Sequence, residues 1–148
     1  MRALIANEAT RNAIAVTGSR KSRSAAERVA AQLTMWPDLE AGRPSCGAGR
    51  GFSFFGDQIL HLHTGGEADL RLSLRFVERL DRVLTESGQV VTRPDDAWVT
   101  VRLDTDTAGA MLISLTSLAI RATDEVGDLQ PCTWERTRPR PRLRTPWA

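Results

Sequence analysis

The stretch that decides the fold is Gln58-Ile59-Leu60-His61-Leu62-His63, then Thr64-Gly65-Gly66-Glu67, then Ala68-Asp69-Leu70-Arg71-Leu72. Two short alternating runs flank a glycine-rich turn, which reads as two antiparallel strands. Side chains alternate across a strand. Leu60 and Leu62 therefore share one face, and Ile59, His61 and His63 share the other.

Working backwards, Phe52-Ser53-Phe54-Phe55 with a turn at Gly56-Asp57 pairs with residues 58–63 as a hairpin. Residues 38–50 are rich in glycine and proline and read as a loop. Before them, Ser24-Ala25-Ala26-Glu27 is a capping box opening a helix with Val29, Ala30, Leu33 and Trp36 on one face, ended by Pro37. Working forwards, Ser73 caps a helix with the stripe Phe76, Val77, Leu80, Val83 and Leu84, and Gly88 stops it. Residues 89–92 and 97–103 form a second hairpin around Pro94-Asp95-Asp96. Asp104 or Thr105 then caps a last helix carrying Ala108, Met111, Leu112, Leu115, Leu118 and Ala119. Hairpin-linked strands between helices predict an α+β two-layer sandwich, with an antiparallel sheet and helices packed on one face. The aliphatic strand faces are expected under the helices at 73–87 and 105–122. No strand leads into GxGxxG, which disfavours a Rossmann fold.

The chain has 148 residues, the length of one domain. Its net charge of +2 conceals a partition. Residues 1–23 and 133–148 each carry +4, which leaves −6 on the body, the reverse of a nucleic-acid-binding core. We expect a basic arm over 1–23, a single domain over 24–123 and an Arg/Pro-rich tail over 124–148. No apolar run reaches the roughly 18 residues of a membrane span, and residues 1–23 lack a secretory apolar segment. The expectation is a cytoplasmic protein with no membrane partner. Nucleic acid would be held only weakly, through the tail, and a homodimer is compatible with the pattern.

Alternation on 97–103 puts Val99, Val101 and Leu103 on one face, and Trp98, Thr100 and Arg102 on the other. The polar side of the sheet then gathers His61, His63, Trp98 and Arg102. His61 and His63 are the only histidines. As a non-metal pair, one is a general base and the other orients it or the substrate. As an HxH metal motif, they need a third ligand from Asp69, Glu67 or Cys46. As plain strand residues they do no chemistry. Asp69 is placed to orient a histidine, Trp98 to stack on a flat substrate and Arg102 to bind an enolate or carboxylate. Phe52, Phe54 and Phe55 would line an apolar pocket.

Cys46 lies in Ser45-Cys46-Gly47-Ala48-Gly49-Arg50-Gly51, which lacks the GK[ST] of a phosphate-binding loop. As a nucleophile it would need His61 or His63 as its base. Cys46 and Cys132 are the only cysteines, far apart and in no CxxC, so neither a zinc finger nor a tightly bound transition metal is expected.

The combination of Gln58-Ile59-Leu60-His61-Leu62-His63, Gly66, Ala68-Asp69-Leu70 and Trp98-Val99 resembles the luciferase-domain family of bacteria and fungi, the family that includes fungal luciferase. The resemblance runs over about residues 28–122 and takes in Gly42-Arg43-Pro44, Gly88 and the closing helix. The sequence departs from the family pattern at two places. Arg71-Leu72-Ser73 stands where a proline often follows Asp-Leu, and Ser45-Cys46-Gly47 replaces an acidic and aromatic pair. The resemblance implies a cofactor-independent enzyme acting on an electron-rich, enolisable, polyketide- or pyrone-like compound. Its reaction class would be an oxygenase, with O2 as co-substrate, or a cyclase/isomerase. The catalytic set would be His61, His63 and Asp69, with Trp98, Arg102, Phe54 and Phe55 against the substrate and no metal. A non-enzymatic binding module, using the same sheet face or the basic tail, is the alternative.

Overall fold

The computed structural model describes residues 24–47, 49–122 and Cys132. The expected basic arm, and the tail apart from Cys132, lie outside the described residues. Three helices and six strands follow in chain order: α1 (Ala25–Thr34), β1 (Leu39–Gly42), β2 (Arg50–Phe54), β3 (Asp57–Leu62), β4 (Glu67–Arg71), α2 (Leu74–Glu86), β5 (Val90–Val91), β6 (Trp98–Arg102) and α3 (Asp106–Arg121). The strands form one antiparallel sheet in the order β1-β2-β3-β4-β6-β5. This is the α+β sandwich expected from the pattern.

The helix starts are chemical. Ser24 and Glu27 close a reciprocal capping box, each side chain bonded at 3.1 Å to the other's backbone N–H. The Thr105 hydroxyl accepts from Ala108 N–H at 3.1 Å, and the Ser73 hydroxyl from Phe76 N–H at 3.3 Å. Each cap satisfies a donor that the first helical turn leaves open.

One sheet face is aliphatic. Leu60, Leu70 and Val99 stand in one rung, and Leu62, Ala68, Val101 and Val90 in the next. With Phe52, Leu33 and Leu112 they form a single core cluster. Helix α3 lies on β3, β4 and β6 and against α1, while α2 packs against β5. The two helices at 73–87 and 105–122 therefore do not share the sheet as expected; α1 takes the second place over it. Gly109 of α3 lies against α1 here, where a side-chain carbon would stand in ordinary contact with Val29 Cγ2 at 3.4 Å. Helix α2 contributes Val77 and Leu84 to the same core from the edge.

Three strand details differ from the sequence reading. Residues 39–42 form an edge strand inside the stretch read as loop. The first hairpin turns at Phe55-Gly56, one residue early, with φ of 47° and 85°. The β2–β3 register shifts between Phe52 and Ser53, where Phe52 pairs with Leu60 and Ser53 with Gln58. Ile59 falls at this bulge and joins the core cluster instead of the histidine face.

Candidate functional site

The second sheet face is polar, and one rung crosses it: Gly51 on β2, His61 on β3, Asp69 on β4 and Thr100 on β6 are successive register partners. His63 follows at the end of β3, where its N–H donates to Glu67 O at 2.8 Å and closes the Gly65-Gly66 turn. The two imidazoles meet edge to face, 5.9 Å between centroids. They share a face away from the helices, as the spacing predicts. They do not face solvent: His61 is 1% exposed and His63 5%.

The cover is the loop at 43–49. Its glycines are what let it lie down. Gly49 has φ +88°, and a side-chain carbon there would stand 1.8 Å from Leu62 O. A side-chain carbon on Gly51 would stand 3.0 Å from Pro44 Cα, a closer approach than usual but a milder one. The glycine-rich run is thus a clamp onto β2 and β3. It delivers the Cys46 sulfur to 3.6 Å from His61 Nδ1 and 3.9 Å from His63 Nδ1. Cys132 reaches the same point. Cys46, His61, His63 and Cys132 are all buried, with one ligand-capable atom from each lying within 4.8 Å of the others. The cysteines are distant in sequence but adjacent in the fold, so the reason for expecting no metal does not carry over to the structure.

Each ring is oriented from its other side. Gln58 Oε1 accepts Ser45 N–H at 2.8 Å while Gln58 Nε2 donates to Arg43 O at 3.1 Å, which fixes the amide's direction. His61 Nε2–H therefore donates to Gln58 Oε1, at 2.7 Å. His63 Nε2–H donates to Asp69 Oδ2 at 3.2 Å. Asp69 Oδ1 accepts from the Thr100 hydroxyl at 2.7 Å, and the Arg93 guanidinium donates to that hydroxyl oxygen at 3.1 Å. Both Nδ1 atoms are left as acceptors facing the sulfurs. Burial pushes the His61 pKa down from 6.5 to about 4; His63 adds to this and Asp69 opposes it. His61 is a neutral imidazole at pH 7.

The other expected contacts fall elsewhere. Trp98 is 3% exposed and packs with Cys46 and Cys132, its ring 5.3 Å from that of His61. It roofs the cluster and has no open face for a flat substrate. Arg102 is exposed at the end of β6, opposite Glu67 and two strands from His63. Phe54 pairs with Asp57 at the hairpin tip, about 13 Å along the strand from His61 at ~3.3 Å per residue. Phe55, beside it, is 85% exposed, and Phe52 is in the helix-side core. Phe52 and Phe54 miss the site because alternation along β2 from Gly51, the partner of His61, turns both to the helix side, where Phe54 packs against the core, and Phe55 lies in the turn. Gln58 and Cys132 stand in the sequence without a role in the site, and Arg93 is not singled out there; only the fold brings the three in. A cleft of about 540 Å³ touches the cluster at His63 alone; the rest of its wall is Ala26, Glu27, Ala30 and Ala31 of α1 with Gly49, Arg50, Leu62 and Thr64.

Fold and site together define an α+β sandwich with a buried imidazole, thiol and carboxylate cluster on its open sheet face. Residues 56–119 match the family model described as Luciferase domain, so this segment is similar to that family. The match points to a small-molecule enzyme. It takes in His61, His63, Asp69 and Trp98 and leaves Cys46 and Cys132 outside. No curated protein and no solved structure matches the chain. Among the described residues, no helix is long and apolar enough to cross a membrane.

Proposed function

We propose that the chain is an enzyme acting on an electron-rich, enolisable, polyketide- or pyrone-like small molecule, as an oxygenase or a cyclase/isomerase. The observation that carries this is the His63–Asp69 pair, buried together beside a cleft in a segment similar to the luciferase-domain family. Asp69 holds Nε2–H, so Nδ1 is the basic atom of His63. A buried carboxylate behind an imidazole favours the imidazolium that forms when the ring accepts a substrate proton. Cys46 covers that atom, so the substrate reaches it as the 43–49 loop lifts. Neutral His61 and the Gln58 amide supply dipoles next to the developing enolate.

The test is consumption of a panel of pyrones and polyketide-like enols by chelator-treated protein, with and without O2. Turnover that requires O2 identifies an oxygenase; equal turnover under nitrogen identifies a cyclase or isomerase. His63→Asn is expected to lower the rate about a hundredfold or more. Undiminished turnover by that variant removes His63 from the chemistry.

A further inference from the structure

We propose that Cys46, His61, His63 and Cys132 form a transition-metal site of the zinc class. The inference concerns the same cluster as the proposed function but stands on geometry alone. Zinc in structural sites takes four sulfur and nitrogen ligands in a tetrahedron, with Zn–S near 2.3 Å and Zn–N near 2.0 Å, so neighbouring ligand atoms stand about 3.3–3.8 Å apart. Cys46 Sγ lies 3.6 Å and 3.9 Å from the two Nδ1 atoms. The widest of the ligand-atom separations is no more than 4.8 Å. About an ångström of closure completes the tetrahedron.

The surroundings are those a metal needs. A ligating histidine usually donates its second ring N–H to a carboxylate or carbonyl oxygen, which turns the other nitrogen's lone pair to the ion. Both histidines do so here, His63 to Asp69 and His61 to Gln58, and both lone pairs face the sulfurs. Two thiols and two imidazoles form a soft, borderline donor set that suits Zn²⁺ over Mg²⁺ or Ca²⁺. Two thiolates would balance the ion's charge, so the buried centre carries no net charge. Four protein ligands leave no open position, which makes the site structural. The ion would pin the 43–49 loop and Cys132 to the sheet.

An ion at this point occupies the His63 lone pair that the proposed reaction uses, so the loaded chain would not carry out that reaction and turnover belongs to the metal-free chain; metal content and turnover are measured separately on the same samples. The full chain, purified reduced, is analysed for zinc, then stripped and titrated with Zn²⁺ and with Co²⁺. Expected are one ion per chain, a rise in Tm on reloading, and the visible bands and thiolate charge-transfer absorption of tetrahedral cobalt. Cys46→Ser and Cys132→Ser should lose the thiolate absorption in part. Asp69→Asn, which removes no ligand, should weaken binding about 10- to 100-fold. An octahedral cobalt spectrum, no stoichiometric binding, or a Cys46–Cys132 disulfide without an ion would overturn the inference. None of those results alters the turnover assay on stripped protein.

Discussion

At the scale of residues, the site is a matter of which polar atoms have been removed from water together. His61, His63, Asp69 and Thr100 are all buried, and no buried side-chain nitrogen or oxygen among the described residues lacks a hydrogen-bond partner. That satisfaction is what makes the cluster tolerable in the interior. Trp98 is the largest side chain over it. Its role here is packing, so Trp98→Ala should cost about 3–5 kcal/mol of stability, the usual range for emptying a buried aromatic position. Urea unfolding measures this. A loss under 1 kcal/mol would mean that the indole is not a closed roof. The histidine face was legible from i, i+2 spacing alone, and so was Asp69 as the partner of an imidazole. Burial was not, because alternation says which side a residue faces and nothing of what lies above it.

At the scale of elements, the caps and stripes of the helices were readable because they are local: Ser24, Ser73 and Thr105 each sit where their hydroxyl meets the first turn. Strand β1 was hidden because Leu39-Glu40-Ala41-Gly42 has little strand propensity and exists by pairing with β2. The bulge at Ile59 was equally hidden, since a register shift depends on the partner strand. The 43–49 loop is the element that makes the site, and Gly49 is its fixed point. Gly49→Ala should fail to close the loop, because the new carbon meets Leu62 O and the left-handed backbone strains any side chain, on the order of 1–3 kcal/mol for the φ alone. The expected outcome is faster alkylation of Cys46 by an iodoacetamide probe at unchanged helix content. Alkylation at the wild-type rate would show that the loop closes without the glycine.

At the scale of the molecule, the sheet separates two jobs. One face, under α1 and α3, is a dry aliphatic core that holds the fold. The other holds imidazoles, thiols and a carboxylate under a loop and Cys132. The sandwich architecture could be read from element order. The meeting of Cys46 with Cys132 could not, since they come from opposite ends of the domain and no spacing motif links them. The chemistry proposed for this polar face runs through a proton-accepting His63 held by Asp69. The most direct measurement is the turnover rate of chelator-treated Asp69→Asn against the wild type, on a pyrone or polyketide enol that the wild type consumes. Asparagine keeps the shape and can still accept from His63, but it removes the charge that favours the imidazolium. A rate lower by about a hundredfold or more is expected, measured at a temperature where the variant is folded, since the lost acceptor for the Thr100 hydroxyl costs about 1–3 kcal/mol. A rate equal to the wild type's would contradict the proposed chemistry.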